Sequence, residues 1–244
     1  TGVGIRTYLE QSKQLTAALF GFNTESGAAL PGFTLADRQR AARWNARALR
    51  RYMDYCWGAA PNGERQEAII PAGQYWVAPE ETDSTYRVVI NIRTAMNIRG
   101  AGPSGVGMGT EINLVDSVGT VGDTIVVFAD WAYEEVVANK DNSGLFNGSW
   151  WHQSSLMDIA INCHGDKQEG YVAGIGIYRP GETTELTRIH IGNYVGYGVH
   201  YTEPAPGLRI AGVSTFPALR SDSVYTNRER IGFWHEKGSG VFIQ

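Results

Sequence analysis

Asp158, Arg188 and His190 are the residues of this chain best placed to do chemistry, because they sit at matched points of a short recurring string. Asp158-Ile-Ala-Ile-Asn162 resembles Arg188-Ile-His-Ile-Gly192, and Arg209-Ile-Ala-Gly-Val213 is a looser third copy. Side chains alternate between the two faces of a strand. With the isoleucines inward, Asp158, Ala160, Arg188, His190, Arg209 and Ala211 point out. Stacked in register, Asp158, Arg188 and Arg209 form one external column with neighbours about 4.8 Å apart. Asp158 then meets Arg188. Such a pair either binds a uronate and tunes a base, or is a surface salt bridge that contributes little; the second reading is the simpler. His190 beside Arg188 is the best local base for a β-elimination, which also requires a cation to neutralise the uronate. Glycoside hydrolysis needs two carboxylates. Neighbours in one column, about 5 Å apart, suit a retaining geometry, and next-neighbours, about 10 Å apart, an inverting one. Asp158, Asp166, Glu169, Glu182, Glu185, Glu203 and Glu236 are the candidates, and no two occupy matched positions in consecutive copies.

A second series alternates with the first: Gly174-Ile-Gly-Ile177, Gly198-Val-His-Tyr201 and Gly232-Phe-Trp-His235. With Ile177 and Tyr201 inward, Tyr178, His200 and Trp234 lie outside and near one another. Aromatic faces with polar tips suit sugar stacking; scattered exposed aromatics or a subunit contact are the alternatives. Asn162, Asp166 and Glu169 offer oxygens to a calcium ion, although acidic turns are usually only solvated; no metal or other cofactor is expected. There is no phosphate-binding glycine loop with its Lys, no paired C-x-x-C and no H-E-x-x-H.

The elements that must hold these residues are short strands. The first series is spaced by 30 and 21 residues and the second by 24 and 33. A loose period of a few tens of residues predicts a solenoid, whose repeats bury their apolar faces only by stacking. Strands are expected at Ile69–Val77 (around a turn), Tyr86–Ile92, Asn97–Gly100, Thr110–Leu114 and Thr124–Ala129. Residues 130–153 carry Trp131, Tyr133, Phe146, Trp150 and Trp151 and read as an excursion suited to an interface. Before the strands, Thr34 with Asp37 makes a capping box for a helix over 34–57. Its stripe is Ala42, Ala46, Leu49, Met53 and Cys56. A shorter helix is expected around Tyr8–Phe20, followed by a polar linker.

Composition narrows the function classes. The 244 residues carry a formal charge of −4, with 43% hydrophobic residues and 30 glycines. An acidic chain argues against general nucleic-acid binding, and no run of about 18 apolar residues spans a membrane. Two cysteines do not make a disulfide framework. Thr1-Gly-Val-Gly-Ile5 shows no signal-peptide pattern. Gly240-Val-Phe-Ile-Gln244 reads as a strand cut short, so the natural protein is expected to continue, with any catalytic constellation largely beyond it or shared between chains.

The string Ile70-Pro-Ala-Gly-Gln-Tyr75 resembles the P-x-G-x-Y opening of pectate-lyase-superfamily right-handed β-helices. Asn97-Ile-Arg-Gly-Ala-Gly102 followed by Thr110-Glu-Ile112 resembles that family's second coil. One departure is that Ser26-Gly-Ala-Ala-Leu-Pro-Gly-Phe-Thr34 stands where the family often carries an acidic Gly-Asp-Gly cluster. The resemblance implies an all-β, right-handed single-stranded parallel β-helix over 34–244, with the 34–57 helix as its N-terminal cap. It also implies a bacteriophage tailspike-like virion protein that recognises a bacterial surface polysaccharide, with depolymerisation left open. The alternatives are a secreted polysaccharide lyase or glycoside hydrolase, or a non-catalytic virion component. On the tailspike reading residues 1–33 attach to other virion tail proteins, the chain is a homotrimer, and it resides in the phage tail. In the cap reading the arginines of the helix form a solvated face, with phosphate binding as the rival.

Overall fold

The computed structural model describes residues 17–22, 33–58, 66–82, 84–92, 96–103, 109–130, 154–177, 184–201, 208–218, 231–235 and 241–243. Of the expected aromatic excursion at 130–153 only Asp130 is described, as the end of a strand; the rest of it and most of the N-terminal segment lie outside the described residues, as does Tyr178.

Among the described residues a single 3-10 turn, Ala17–Phe20, stands at the end of the shorter helix expected around Tyr8–Phe20, and one α-helix precedes the strands. α1, Leu35–Gly58, begins at the expected capping box. The Thr34 hydroxyl donates to Asp37 Oδ2 at 2.7 Å and accepts from the Asp37 amide at 3.2 Å, while the Thr34 amide donates back to the same carboxylate at 3.1 Å. These bonds satisfy amides that the first turn leaves without helical partners. Ala42, Ala46, Leu49, Met53 and Cys56 are all buried, as the 3.6-residue period requires. Burial pushes the Cys56 thiol up to about 11. The arginines are partnered rather than merely solvated. Arg47 makes a short ion pair with Glu80, Arg43 pairs with Glu81 at 2.7 Å, and Arg50 donates to the carbonyls of Val88 and Val89. Buried Asn45 donates to the Trp76 carbonyl at 2.9 Å, so α1 is bonded to the strands that follow.

The strands fall into two parallel sheets. The first repeat holds β1 (Gln66–Ile69), β2 (Gly73–Val77) and β3 (Tyr86–Ile92). The second holds β4 (Met96–Arg99), β5 (Thr110–Leu114) and β6 (Thr124–Asp130). In the third and fourth the first two strands fuse: β7 (Ser155–Asn162) with β8 (Tyr171–Ile177), then β9 (Glu185–Tyr194) with β10 (Tyr197–Tyr201). The fifth splits again into β11 (Leu208–Ala211), β12 (Ser214–Pro217) and β13 (Ile231–His235), and β14 (Val241–Ile243) follows. Sheet A runs β1-β4-β7-β9-β11-β14, with β2-β5-β7 and β12 against β9 beside that path; sheet B runs β13-β10-β8-β6-β3. All named strand pairs are parallel.

Stacking in register puts like on like. Tyr75, Ile112, Ile161 and Ile191 form one interior column, and Ile98, Leu156, Leu186 and Ile210 another. All eight are buried, and one core joins both sheets to α1. Each such side chain contributes roughly 1.5–3 kcal/mol by leaving water. The second recurring series is in register throughout, with Ile175, Val199 and Phe233 aligned. Its glycines have a packing reason. A Cβ on Gly198 would lie 2.7 Å from the Gly232 carbonyl, and one on Gly232 would lie 2.6 Å from Thr215 Oγ1.

The first series is in register for two copies only. Ile159 lies opposite Ile189 and Ala160 opposite His190. The third copy is displaced: Arg209 lies opposite Glu185, 3.6 Å away as an ion pair, and not in the column of Asp158 and Arg188. With Ala211 opposite Thr187 and Ser214 opposite His190, Gly212 takes the position of Arg188. The reason is conformational. Asp158, Arg188 and Gly212 have φ of 60°, 50° and 62°, the left-handed corner at which β4 gives way to β5 and β11 to β12 in the split repeats. Residue-type similarity at Arg209 hides that corner.

Glycine adopts this backbone without strain and Ala does not. Arg188→Gly and Arg188→Ala both remove the side chain, so the expected outcome is that the Gly variant melts about 2–4 °C above the Ala variant. Thermal unfolding followed by circular dichroism measures it; equal melting temperatures would mean that the corner carries no strain.

Candidate functional site

The corner fixes which side chains face outward on sheet A. After it, Ile159 and Ile161 point in, so Ala160 and Asn162 point out; after Arg188, His190 and Gly192 do the same. Two outward rows result. One is Gln74, Glu111, Ala160, His190 and Ser214; the other is Trp76, Asn113, Asn162, Gly192 and Phe216. A cleft of about 180 Å³ opens over their centre, lined by Pro103, Glu111, Ala160, Asn162, His190, Gly192 and Asn193 among others.

Glu111 and His190 flank this cleft with Ala160 between them. The two residues lie on strands two spacings apart, about 9.6 Å, and Ala160, itself only 3% exposed, lines the floor of the cleft between them. Glu111 is buried, 8% exposed as a residue, and its carboxylate accepts from Gln74 Nε2 at 3.0 Å. His190 Nδ1 lies 3.0 Å from Ser214 Oγ, and its ring stacks on Phe216 at 5.1 Å between centroids. Ser214 can accept or donate there. If it accepts, Nδ1 carries the proton and Nε2 is a base; if it donates, Nε2 carries the proton and is an acid. Nε2 is also the nearest heavy atom, 4.0 Å away, to where a Cβ at Gly192 would stand, so it borders the cleft.

The other expected residues are placed as follows. Asp158 and Arg188 meet as a two-point ion pair, Arg188 Nε to Oδ1 at 2.6 Å and Nη2 to Oδ2 at 2.7 Å. The guanidinium bonds hold the Asp158 carboxyl below the usual carboxylate range, and the carboxylate raises Arg188 in turn. Asp158 is thereby kept ionised, and both its oxygens are engaged. His190 makes its described contacts with Ser214 and Phe216 instead, so the pair and the imidazole lie on either side of Ile189. His200, expected outside, is only 8% exposed and stacks on Tyr197 at 4.8 Å. The outer face of sheet B is itself closed there, with Val88, Val126, Ala129 and Ala173 forming a small apolar cluster. The Trp234 backbone lies opposite His200; its side chain and Tyr178 are outside the described residues.

The Asn162 oxygen is committed to protein N–H donors rather than to a cation. Its Oδ1 accepts from the His164 amide at 3.2 Å and from Asn193 Nδ2 at 3.0 Å. Among the described residues no cluster of three His, Cys, Asp or Glu side chains is placed to hold a metal. His164 lies beside Trp76 at 5.0 Å and 3.1 Å from Asn113 Oδ1, and burial pushes its pKa down. Glu111 is the residue that sequence reading passed over. Its signal was the alternation of Thr110-Glu-Ile-Asn-Leu114, which faces Glu111 outward once that strand is aligned with Asp158–Asn162.

No family model matches the chain, and no curated protein matches it. Solved structures do. The chain is similar to the A-module of Azotobacter vinelandii mannuronan C-5 epimerase AlgE6 at 17% identity and a TM-score of 0.50, over 69% of this chain and 39% of that one. It is similar to the AlgE4 A-module of the same organism at 14% identity and a TM-score of 0.51, over 93% and 53%. It is also similar to a candidate glycosyl hydrolase of Parabacteroides merdae ATCC 43184 at 13% identity and a TM-score of 0.50, over 93% and 82%. The chain spans about half or less of the length of the two epimerase modules. At these identities the likeness shows the fold, a parallel β-helix architecture.

The Asp158 carboxyl has a folded pKa below its unfolded value of about 3.9. Its contribution to stability is therefore present above that unfolded value and lost as pH falls through the lower folded one. Asp158→Asn keeps a side chain that tolerates the left-handed corner while removing this titration. Melting temperatures taken from pH 6 down to pH 2 are expected to fall less steeply in the variant than in the parent; parallel curves would show that the ion pair does not titrate with folding.

Proposed function

We propose that this chain binds a polysaccharide along the outer face of sheet A and transfers protons on it, with Glu111 and His190 as the acting groups. The single observation that carries this reading is their placement: a carboxylate and an imidazole in one outward row, separated by Ala160, over a cleft. A sugar lying across Ala160 would have a proton-transfer group on each side. Arg188, 60% exposed at its side chain, offers the guanidinium N–H groups that Asp158 does not take as donors to an acidic sugar at the neighbouring corner. Long parallel rows of outward side chains also suit a polymer that runs across the strands.

The similar structures carry the names of a mannuronan epimerase and a candidate glycosyl hydrolase, and both names concern sugars. Removing a proton from a sugar carbon leads to epimerisation if a proton returns, or to elimination if the glycosidic oxygen departs. A single carboxylate in the row, with an imidazole as its counterpart, favours these outcomes over hydrolysis, which calls for two carboxylates. In this reading the repeats close into a right-handed single-stranded β-helix with α1 as its cap, which the bonds from Asn45 and Arg50 to the first repeat support. The tailspike-like placement belongs to the proposal on sequence resemblance alone. It comprises residues 1–33 as the attachment segment to virion tail proteins, a homotrimer, and residence in a phage tail or secretion as the alternative.

Glu111→Gln and His190→Ala are each expected to lower turnover on a sensitive polysaccharide by about 10²–10⁴-fold. Three measurements separate the reactions: ultraviolet absorbance of an unsaturated product for elimination, reducing ends for hydrolysis, and proton exchange from deuterated water for epimerisation. Undiminished turnover in both variants would remove the site from this face.

A further inference from the structure

We propose that Gly192 and Phe216 form a slot for one sugar ring, with Gly192 as its floor and Phe216 as its wall, and that this slot sets which sugar lies beside His190. The inference rests on the polysaccharide reading above and assigns it a specificity-determining position.

Gly192 is a glycine that the fold does not require. Gly198 and Gly232 are forced by close backbone or side-chain approach, and Gly212 takes a left-handed corner. Gly192 has neither reason. Its φ is not positive, and a Cβ there would meet only His190 Nε2, at 4.0 Å. It stands mid-strand, where a missing side chain weakens a sheet. What its absence creates is space, since the flanking members of its row are Asn162 on β7 and Phe216 on β12. Those strands lie on either side of β9, so the gap is two strand spacings wide, about 9.6 Å.

The walls of that gap have the chemistry of a sugar contact. Phe216 is 56% exposed, and its ring is held in orientation by stacking on His190. A ring fixed on one side and open elsewhere offers an apolar surface to the C–H face of a pyranose. Across the gap, Asn162 Oδ1 is engaged by Asn193 Nδ2 and the His164 amide. That arrangement leaves Asn162 Nδ2 as a donor and Asn193 Oδ1 as an acceptor for ring hydroxyls. His190 Nε2 borders the floor, so a ring seated in the slot is delivered to the proposed proton-transfer group.

The test uses the whole chain, calorimetric titration and an array of acidic and neutral bacterial oligosaccharides that includes oligomannuronate. For an oligosaccharide bound by the parent, Gly192→Leu is expected to weaken binding at least about tenfold and Gly192→Ala by much less, because the larger group fills the slot. Phe216→Ala is expected to weaken binding about 2–10-fold, with recovery in Phe216→Tyr, which restores the ring face. Melting temperatures of the Gly192 variants should stay within a few degrees of the parent; if Gly192→Leu unfolds, the graded Ala variant and the Phe216 pair decide. Where turnover is measurable, the slot variants raise KM more than they lower kcat, the reverse of Glu111→Gln. Equal affinity in Gly192→Leu and Phe216→Ala overturns the slot and leaves the polysaccharide reading standing. A parent chain that binds no member of the array overturns both.

Discussion

At one corner of each repeat from the third to the fifth, the backbone turns through a left-handed residue, and the orientation of the outer face depends on it. Along an uninterrupted strand Leu156 inward would make Asp158 inward and Ile159 outward. The left-handed residue shifts the phase, so that Leu156 and Ile159 are both buried, as are Leu186 and Ile189 in the next repeat. Each half of the strand therefore faces the core correctly. The same shift places Ala160, His190 and Ser214 outward in one row. Asp158 and Arg188 are non-glycine residues in a conformation that L-amino acids disfavour. Their two-point ion pair ties the two corners together across neighbouring strands.

The interior explains why such corners persist. Parallel stacking in register makes each core position a column, and a column of like side chains packs against itself without gaps. A residue that slipped one place would carry every apolar side chain of its strand to the wrong face. The columns of Ile, Leu and Val in both sheets thus hold the corner in place as firmly as the corner orients them. At Gly198 and Gly232 no side chain fits, because a neighbouring carbonyl and Thr215 already fill the space.

α1 joins this system through polar bonds as well as apolar contact. Asn45 reaches the carbonyl of Trp76, and Arg50 the carbonyls of Val88 and Val89. These bonds tie the helix to backbone acceptors in the first repeat, and the Glu80 and Glu81 pairs tie its arginines to the segment between β2 and β3. The arginines that looked like a solvated or phosphate-binding stripe are largely occupied by this docking.

Much of the architecture was legible in the residues themselves. Alternation marked Tyr86–Ile92 and Thr110–Leu114 to the residue, but β1, β7 and β9 each begin three residues before the expected string and β12 was not expected as a strand of its own; Thr34 with Asp37 marked the helix start, and Ile159 and Ile189 announced a shared register, because those signals are local or repeat along the chain. The site was less legible. Asp158 and Arg188 were expected to meet, and they do, but His190 turns to Ser214 and Phe216, which are 24 and 26 residues further on. Glu111 joined the row only when β5 was aligned on β7, across a long intervening sequence that breaks the repeat spacing. Arg209 was misplaced because similarity of residue type cannot reveal a backbone that turns left-handed at Gly212 instead. His200 was expected in the open, but neighbours on sheet B cover it. The sequence thus determined which residues alternate and which way each strand is apolar, since those follow from local periodicity. Only tertiary structure decided which outward residues share a row, because that depends on corner conformation and strand register, and neither is a property of any one segment.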